Sequence, residues 1–200
     1  MHNRLFLLVP LLLFPVLAQS QLMPCTLNPV EDAQNVGVAR ATFELGKPFE
    51  HPVPLPGQVL AALRADTIND QQFRACTSGR RLSEMPAGWF SGTEVSLAEN
   101  ELPGLVVKAT SACLRDKHGD GELGGFWVFR QAQSGYQLLL ARRSRALQVM
   151  ATTSNGYPDV CFMSGTYNAL SQDIYTFQQG RYELLSSGAV VVDFLPAVSR

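Results

Sequence analysis

The densest run of chemically able side chains in the sequence is Asp116-Lys117-His118-Gly119-Asp120-Gly121-Glu122. Laid on a helix-flanked calcium loop, Asp116 takes the first ligand position, His118 the third and Asp120 the fifth. Gly121 then supplies the required glycine and Leu123 the apolar residue. The bidentate glutamate that should close such a loop is replaced by Trp127, His118 brings no oxygen, and no helical pattern flanks the run. Asp116, His118, Asp120 and Glu122 are therefore candidate metal ligands with calcium as the ion. The preferred reading is a solvated turn with no cofactor, its glycines permitting positive φ and its charges keeping an exposed connection soluble.

Nucleophilic catalysis needs a Ser or Cys, a His and an orienting carboxylate brought together. Beyond the N-terminal apolar run the chain offers His51 and His118, and no serine lies in a G-x-S-x-G elbow. His51, between Glu50 and Pro52, reads as an exposed loop residue. Glu99 with Glu101, and Asp116 with Asp120, are candidate carboxylate pairs of the glycosidase kind, though surface charge is the simpler reading. Arg130, Arg142, Arg143 and Arg145 are a candidate cationic rim for a carboxylate or phosphate partner. Isolated arginines beside strands also serve merely to solubilise an edge. Trp89, Phe90, Phe126, Trp127 and Phe129 are candidates for a groove, with core packing preferred for most of them.

The chain has four cysteines, Cys25, Cys76, Cys113 and Cys161. None are spaced C-x-x-C, which argues against a thioredoxin-like site or a zinc knuckle. An even count in an exported chain reads as disulfides, with three connectivities open. Cys76 with Cys113 is preferred, because one follows a helical stretch and the other ends a strand entering a hairpin, and Cys25 with Cys161 follows by elimination. Closing the first span would stabilise the fold by roughly 3 to 4 kcal/mol.

Export is read from the N-terminus. Arg4 precedes an apolar run, Leu5 to Ala18, that is interrupted by Pro10 and Pro15 and is short for a bilayer span. Residues 1–20 are expected as a signal peptide, with cleavage after Ser20 preferred to cleavage after Ala18. Leu22-Met23-Pro24-Cys25 places Pro where a lipoprotein signal has Gly or Ala, so no membrane anchor is expected afterwards. The whole chain carries 16 Lys and Arg against 17 Asp and Glu, and its one basic tract is Arg142 to Arg145. Nucleic acid is accordingly not an expected partner.

The elements that must position these residues are mostly strands. Residues 21–56 are expected to run extended, because Pro48, Pro52, Pro54 and Pro56 disfavour both helix and central strand. Residues 57–200 form a single β-rich domain with a leading helix. Val59, Leu60 and Leu63 share a helical face over Gly57 to Ala65. A further helical turn is expected from Asp70 to Cys76. Thr93 to Leu97, Leu105 to Thr110 and Leu147 to Thr152 alternate with period two. The firmest hairpin joins Phe126-Trp127-Val128-Phe129 to Tyr136-Gln137-Leu138-Leu139-Leu140 through Arg130 to Gly135. Ser154-Asn155-Gly156 turns Leu147 to Thr152 back onto Val160 to Met163, Gln178 to Arg181 turns a second pair, and Ala189 to Phe194 closes the chain. The fold class is α+β, mainly antiparallel β: a short N-terminal helix packed on a meander that curls into a half-barrel or sandwich.

Pro86-Ala87-Gly88-Trp89-Phe90, Ser111-Ala112-Cys113-Leu114, Phe126 to Arg130, Gly135 to Leu140, Asn155-Gly156-Tyr157-Pro158-Asp159, Tyr175-Thr176-Phe177 and Gly180-Arg181-Tyr182, in this order, resemble a group of small exported bacterial β-rich proteins. The likeness spans roughly Leu55 to Leu185 and brings no catalytic or binding residues with it. The chain departs from that pattern by inserting the charged stretch Arg115 to Glu122. Two function classes follow. The preferred one is a non-catalytic, monomeric binding protein of the bacterial envelope, periplasmic or secreted, of the inhibitor or immunity type, acting on a protein partner. The other is an envelope hydrolase or metal-dependent enzyme built from scattered acids and His118.

Overall fold

The computed structural model of the chain describes residues 25, 39–67, 74, 76, 85–99, 101–118, 121–166 and 169–191. The expected signal peptide, most of the expected turn from Asp70 to Cys76, the tip of the charged stretch and the far end of the expected last strand lie outside them. The described elements are β1 (Ala39–Glu44), α1 (Gly57–Thr67), β2 (Phe90–Val95), β3 (Gly104–Ala109), β4 (Arg115–His118), β5 (Gly121–Ala132), β6 (Gly135–Ser144), β7 (Ala146–Ser154), β8 (Tyr157–Thr166), β9 (Ala169–Gln178) and β10 (Arg181–Val191). They form two open antiparallel sheets. One has the order β1-β7-β8-β9-β10; in the other β5 carries β3 and β4 on one edge and β6 on the opposite edge, with β2 outside β3.

β5 is the strand on which the second sheet is built, and its sequence explains why. Phe126 and Val128 point into the core shared with the first sheet, where they meet Leu147, Val149, Val160 and Phe162. Trp127 and Phe129 point the opposite way, towards Val59 and Leu63 of α1. A strand with no polar face must be covered on both sides, and a helix on one and a sheet on the other supply that cover. Gly125 leaves room for the Trp127 indole, which lies where any Cβ at that position would sit. α1 itself is short. The Pro56 carbonyl accepts its first backbone bond, from Leu60, Val59, Leu63 and Thr67 bury one stripe, and the Thr67 hydroxyl donates back to the Leu63 carbonyl at 2.7 Å. It runs two residues past the expected Ala65.

Both later hairpins turn on two residues with positive φ, Asn155 (51°) with Gly156 (81°) and Gln179 (48°) with Gly180 (86°). That geometry matches the right-handed twist of the flanking strands. The chain passes from the first sheet to the second after β1, and returns at a tight corner where β6 ends at Ser144 in one sheet and β7 starts at Ala146 in the other. Arg145 between them donates its N–H to the Met163 carbonyl and accepts from Leu45.

Three expectations are corrected. The charged stretch is a hairpin rather than a solvated turn: Asp116 pairs with Leu123 and Lys117 with Glu122 across β4 and β5. The segment 21–56, expected as extended and outside the domain, contains β1, which pairs with β7 over Glu44–Ala146 to Ala39–Met150. Ala189 begins no separate strand, since β10 is continuous from Arg181 and bends at a bulge between Leu184 and Ser186. The two cysteine pairs are those anticipated, Cys25 with Cys161 and Cys76 with Cys113. Cys25 lies on the outer face of the first sheet, where the Gln172 side-chain amide accepts from its N–H at 2.8 Å and donates to its carbonyl at 2.7 Å. Among the described residues no helix is long and apolar enough to cross a membrane.

Candidate functional site

One lysine joins the two sheets along their open side. Lys108 sits on the inward face of β3, in line with Val106, and is 2 % exposed. Its ammonium donates to the Glu44 carbonyl at 2.8 Å and to the Lys47 carbonyl, and lies 4.3 Å from the centre of the Phe49 ring. The chain leaving β1 is thereby strapped across the sheet edges. Burial pushes the pKa of Lys108 down to about 8; the nearby Arg115 charge adds to the fall and Glu44 opposes it. The amine is turned onto carbonyls and an aromatic face, which suits a structural cation and leaves no lone pair aimed at a substrate.

Beside this strap is a cleft of about 730 Å³ between β1 and β2. Phe43, Phe49, Val95 and Val149 give it an apolar floor, and Glu50, His51, Glu94 and Ser96 stand along its rim. The cleft shares Arg40 and Ser96 with a second cavity of about 530 Å³, which runs on past Glu99 and Glu101 to Tyr157. Together they make one groove along the open side of the two sheets. His51, read from the sequence as an exposed loop residue, is exposed and lines this groove, its carbonyl accepting from the Thr93 hydroxyl at 2.9 Å.

At the far end of the groove the Tyr157 hydroxyl donates to Glu101 at 2.5 Å and accepts from Arg130 at 3.1 Å, while Arg130 also donates to Gln137 at 2.6 Å. Tyr157 stacks on Phe177 at 3.8 Å between ring centres, and Phe177 meets Tyr182 edge-on. The Asn155 amide donates to the Phe177 carbonyl, and the Tyr182 hydroxyl to that of Pro158. Several residues that carry the resemblance noted above thus converge at one corner. Burial raises the Tyr157 pKa; the Arg130 hydrogen bond pulls against that rise and the bond to Glu101 adds to it. Burial raises Tyr182 as well. The hydrogen bond to Tyr157 is the main reason that the Arg130 pKa is raised. The cluster thus holds the Tyr157 phenol in its protonated form between the Glu101 side chain and the Arg130 guanidinium, an arrangement that orients side chains without activating a base.

The other candidates separate. Asp116 forms an ion pair with Arg143 at 2.7 Å, and Glu122 one with Arg115 at 3.2 Å. Two of the candidate metal ligands are therefore occupied by guanidinium groups, while the His118 side chain and Asp120 lie outside the described residues. No cluster of three metal-ligating side chains occurs among the described residues. Arg142 donates to the Tyr175 hydroxyl at 2.5 Å and packs over its ring. Arg130, Arg142 and Arg143 are each tied to a different partner, so these three form no single open cationic patch. Glu99 and Glu101 do lie together on the groove. Trp127 belongs to the core and donates to Asp66 at 2.7 Å.

Lys108 and Tyr157 were missed as organising residues. A lysine inside the apolar run Leu105-Val106-Val107-Lys108-Ala109 was a legible signal, since a buried charge in a strand must find partners. No protein family, curated protein or solved structure matches the chain.

Proposed function

We propose that this is an exported, non-catalytic binding protein of the bacterial envelope, with its two sheets packed as an open sandwich and its partner received in the groove between β1 and β2. The groove is the observation that carries this reading. It pairs an apolar floor with a polar rim, and it is framed by Lys108 at one end and by the Arg130–Tyr157–Glu101 cluster at the other. A groove already formed in the unbound chain lowers the ordering entropy lost on association. Two disulfides suit a periplasmic or secreted location, where thiols are oxidised. An inhibitor or immunity-type role against an envelope enzyme fits a preformed groove that carries no activated nucleophile.

The test is a photo-crosslinking amino acid placed singly at Glu94, Ser96 or Leu185 in cells that export the protein. Glu94 and Ser96 line the groove, whereas Leu185 is exposed on β10. A discrete partner is expected from the first two sites and none from the third. Absence of a product at both groove sites, or equal labelling at Leu185, overturns the proposal.

A further inference from the structure

We infer that the groove takes an extended, basic segment of a partner protein laid along the free edge of β1, an inference that rests on the binding reading above. β1 is paired with β7 on one edge, and among the described residues no strand lies on the other. Across the groove the outer edge of β2 carries a single bridge, from Gly92 to Val53. Two strand edges with unused hydrogen-bonding capacity therefore border one cleft. An added strand would use that capacity and send every second side chain to the apolar floor formed by Phe43, Val95 and Val149. With six residues in β1, the matching segment is about six to eight residues long.

Charge decides which segment. Glu50, Glu94 and Glu99 are exposed on the rim and form no ion pair among the described residues, and Glu101 accepts from Tyr157. Glu44 is matched by Lys47 at 2.6 Å and Glu101 faces Arg130 through the Tyr157 hydroxyl, so among the described lining residues Arg40 is left to oppose the three rim carboxylates of Glu50, Glu94 and Glu99, Lys108 being buried among carbonyls. A basic strand is attracted and an acidic one repelled. The chain's own residues 26–38 contain Glu31 and Asp32 and no Lys or Arg, so they are the wrong occupant. A second copy seated groove to groove would set two acidic rims against each other.

The experiment uses the full exported chain with disulfides intact and two fluorescein-labelled octapeptides, one alternating Lys and Val and one alternating Glu and Val, read by anisotropy at 50 and 500 mM NaCl. The Lys-Val peptide is expected to bind in the micromolar range, the Glu-Val peptide at least tenfold more weakly, and salt to erode the difference. Exposed ion pairs are individually weak, so the triple substitution Glu50→Gln, Glu94→Gln, Glu99→Gln should weaken Lys-Val binding by roughly tenfold. The melting curve of that variant should match the parent. Equal binding of the two peptides, or a triple variant that binds Lys-Val as the parent does, overturns the inference. So does displacement of the probe by a synthetic peptide of residues 26–38, which would assign the groove to the chain itself. A groove that crosslinks a partner yet ignores the Lys-Val peptide refutes this inference alone; failure of both removes the binding reading as well.

Discussion

Replacing Lys108 by Met keeps the aliphatic stem and removes the charge that bridges the two sheets. Two effects oppose each other. The Glu44 and Lys47 carbonyls lose a charged donor, and hydrogen bonds to charged groups contribute about 1.5 to 3 kcal/mol each. Against this, the desolvation of a buried ammonium disappears, and with it the pressure that holds the pKa at about 8 instead of 10.5. The pH dependence separates the two. A base whose folded pKa lies below its unfolded value destabilises the fold wherever it is charged, and that handicap is lifted as pH rises from the folded pKa towards the unfolded one. Between pH 7 and 9.5 the parent should therefore gain roughly 2 kcal/mol relative to Lys108→Met, worked from the lowered pKa at about 1.4 kcal/mol per unit. Above about pH 10 both proteins should lose stability, because the buried Tyr182 resists ionisation in the folded state and ionises freely in the unfolded one. Urea denaturation of both proteins at pH 6, 7, 8, 9 and 9.5 measures the difference. Parallel profiles over that range would show that Lys108 is solvated and that the strap does not hold it among carbonyls.

Trp127→Phe keeps a ring against Phe90 but loses the donor to Asp66. It should cost about 1 to 2 kcal/mol, against about 3 to 5 for Trp127→Ala, by urea denaturation; equal costs would mean that the indole N–H contributes nothing. Millimolar calcium should leave the melting curve unmoved, since Asp116 and Glu122 are held by Arg143 and Arg115. Asp116→Ala should itself cost about 1 kcal/mol through the partly buried pair, and a calcium-dependent rise of several degrees that this change abolishes would refute the assignment. Replacing Cys76 and Cys113 by Ser opens a span of 37 residues and should cost roughly 3 to 4 kcal/mol. A loss below 1 kcal/mol would mean that the unfolded chain is not restrained by that link.

The strands that local sequence announced are those whose pattern is complete within a few residues. Phe126 to Phe129 has no polar face, so a sheet covered on both sides followed directly, and Asn155-Gly156 specified a turn that favours positive φ at both positions. β1 did not show itself because in Ala39-Arg40-Ala41-Thr42-Phe43-Glu44 only Thr42 and Phe43 favour a strand, beside the weak strand formers Ala39, Ala41 and Glu44. It is a strand because β7 offers it an edge, a tertiary cause that no window of six residues contains. The charged hairpin failed for a related reason. Read locally, Asp116 to Glu122 resembles a hydrated loop; in the fold its charges are matched between strands, Asp116 by Arg143 across β5 on β6 and Glu122 by Arg115 on β4, and these pairs support a ladder already dictated by β5.

The groove was less legible still, because it is made of what the elements leave between them. Its floor comes from β1, β2, β7 and the strap, and its rim acids are spread from Glu44 to Glu101, so no motif could mark it. What the sequence does carry is a violation: one lysine in an apolar strand. Such a residue cannot be satisfied by its neighbours, whose side chains are Val107 and Ala109, and a buried ammonium must be given oxygen acceptors from elsewhere. Here they are backbone carbonyls, at Glu44 and Lys47. A backbone acceptor leaves no trace in the identity of the residue that supplies it, and so a lysine announces that a second segment must come to it without saying which one. The segment that does come is the strap whose far side is the groove, and the charge that looks like an error in β3 is what fixes the wall of the site.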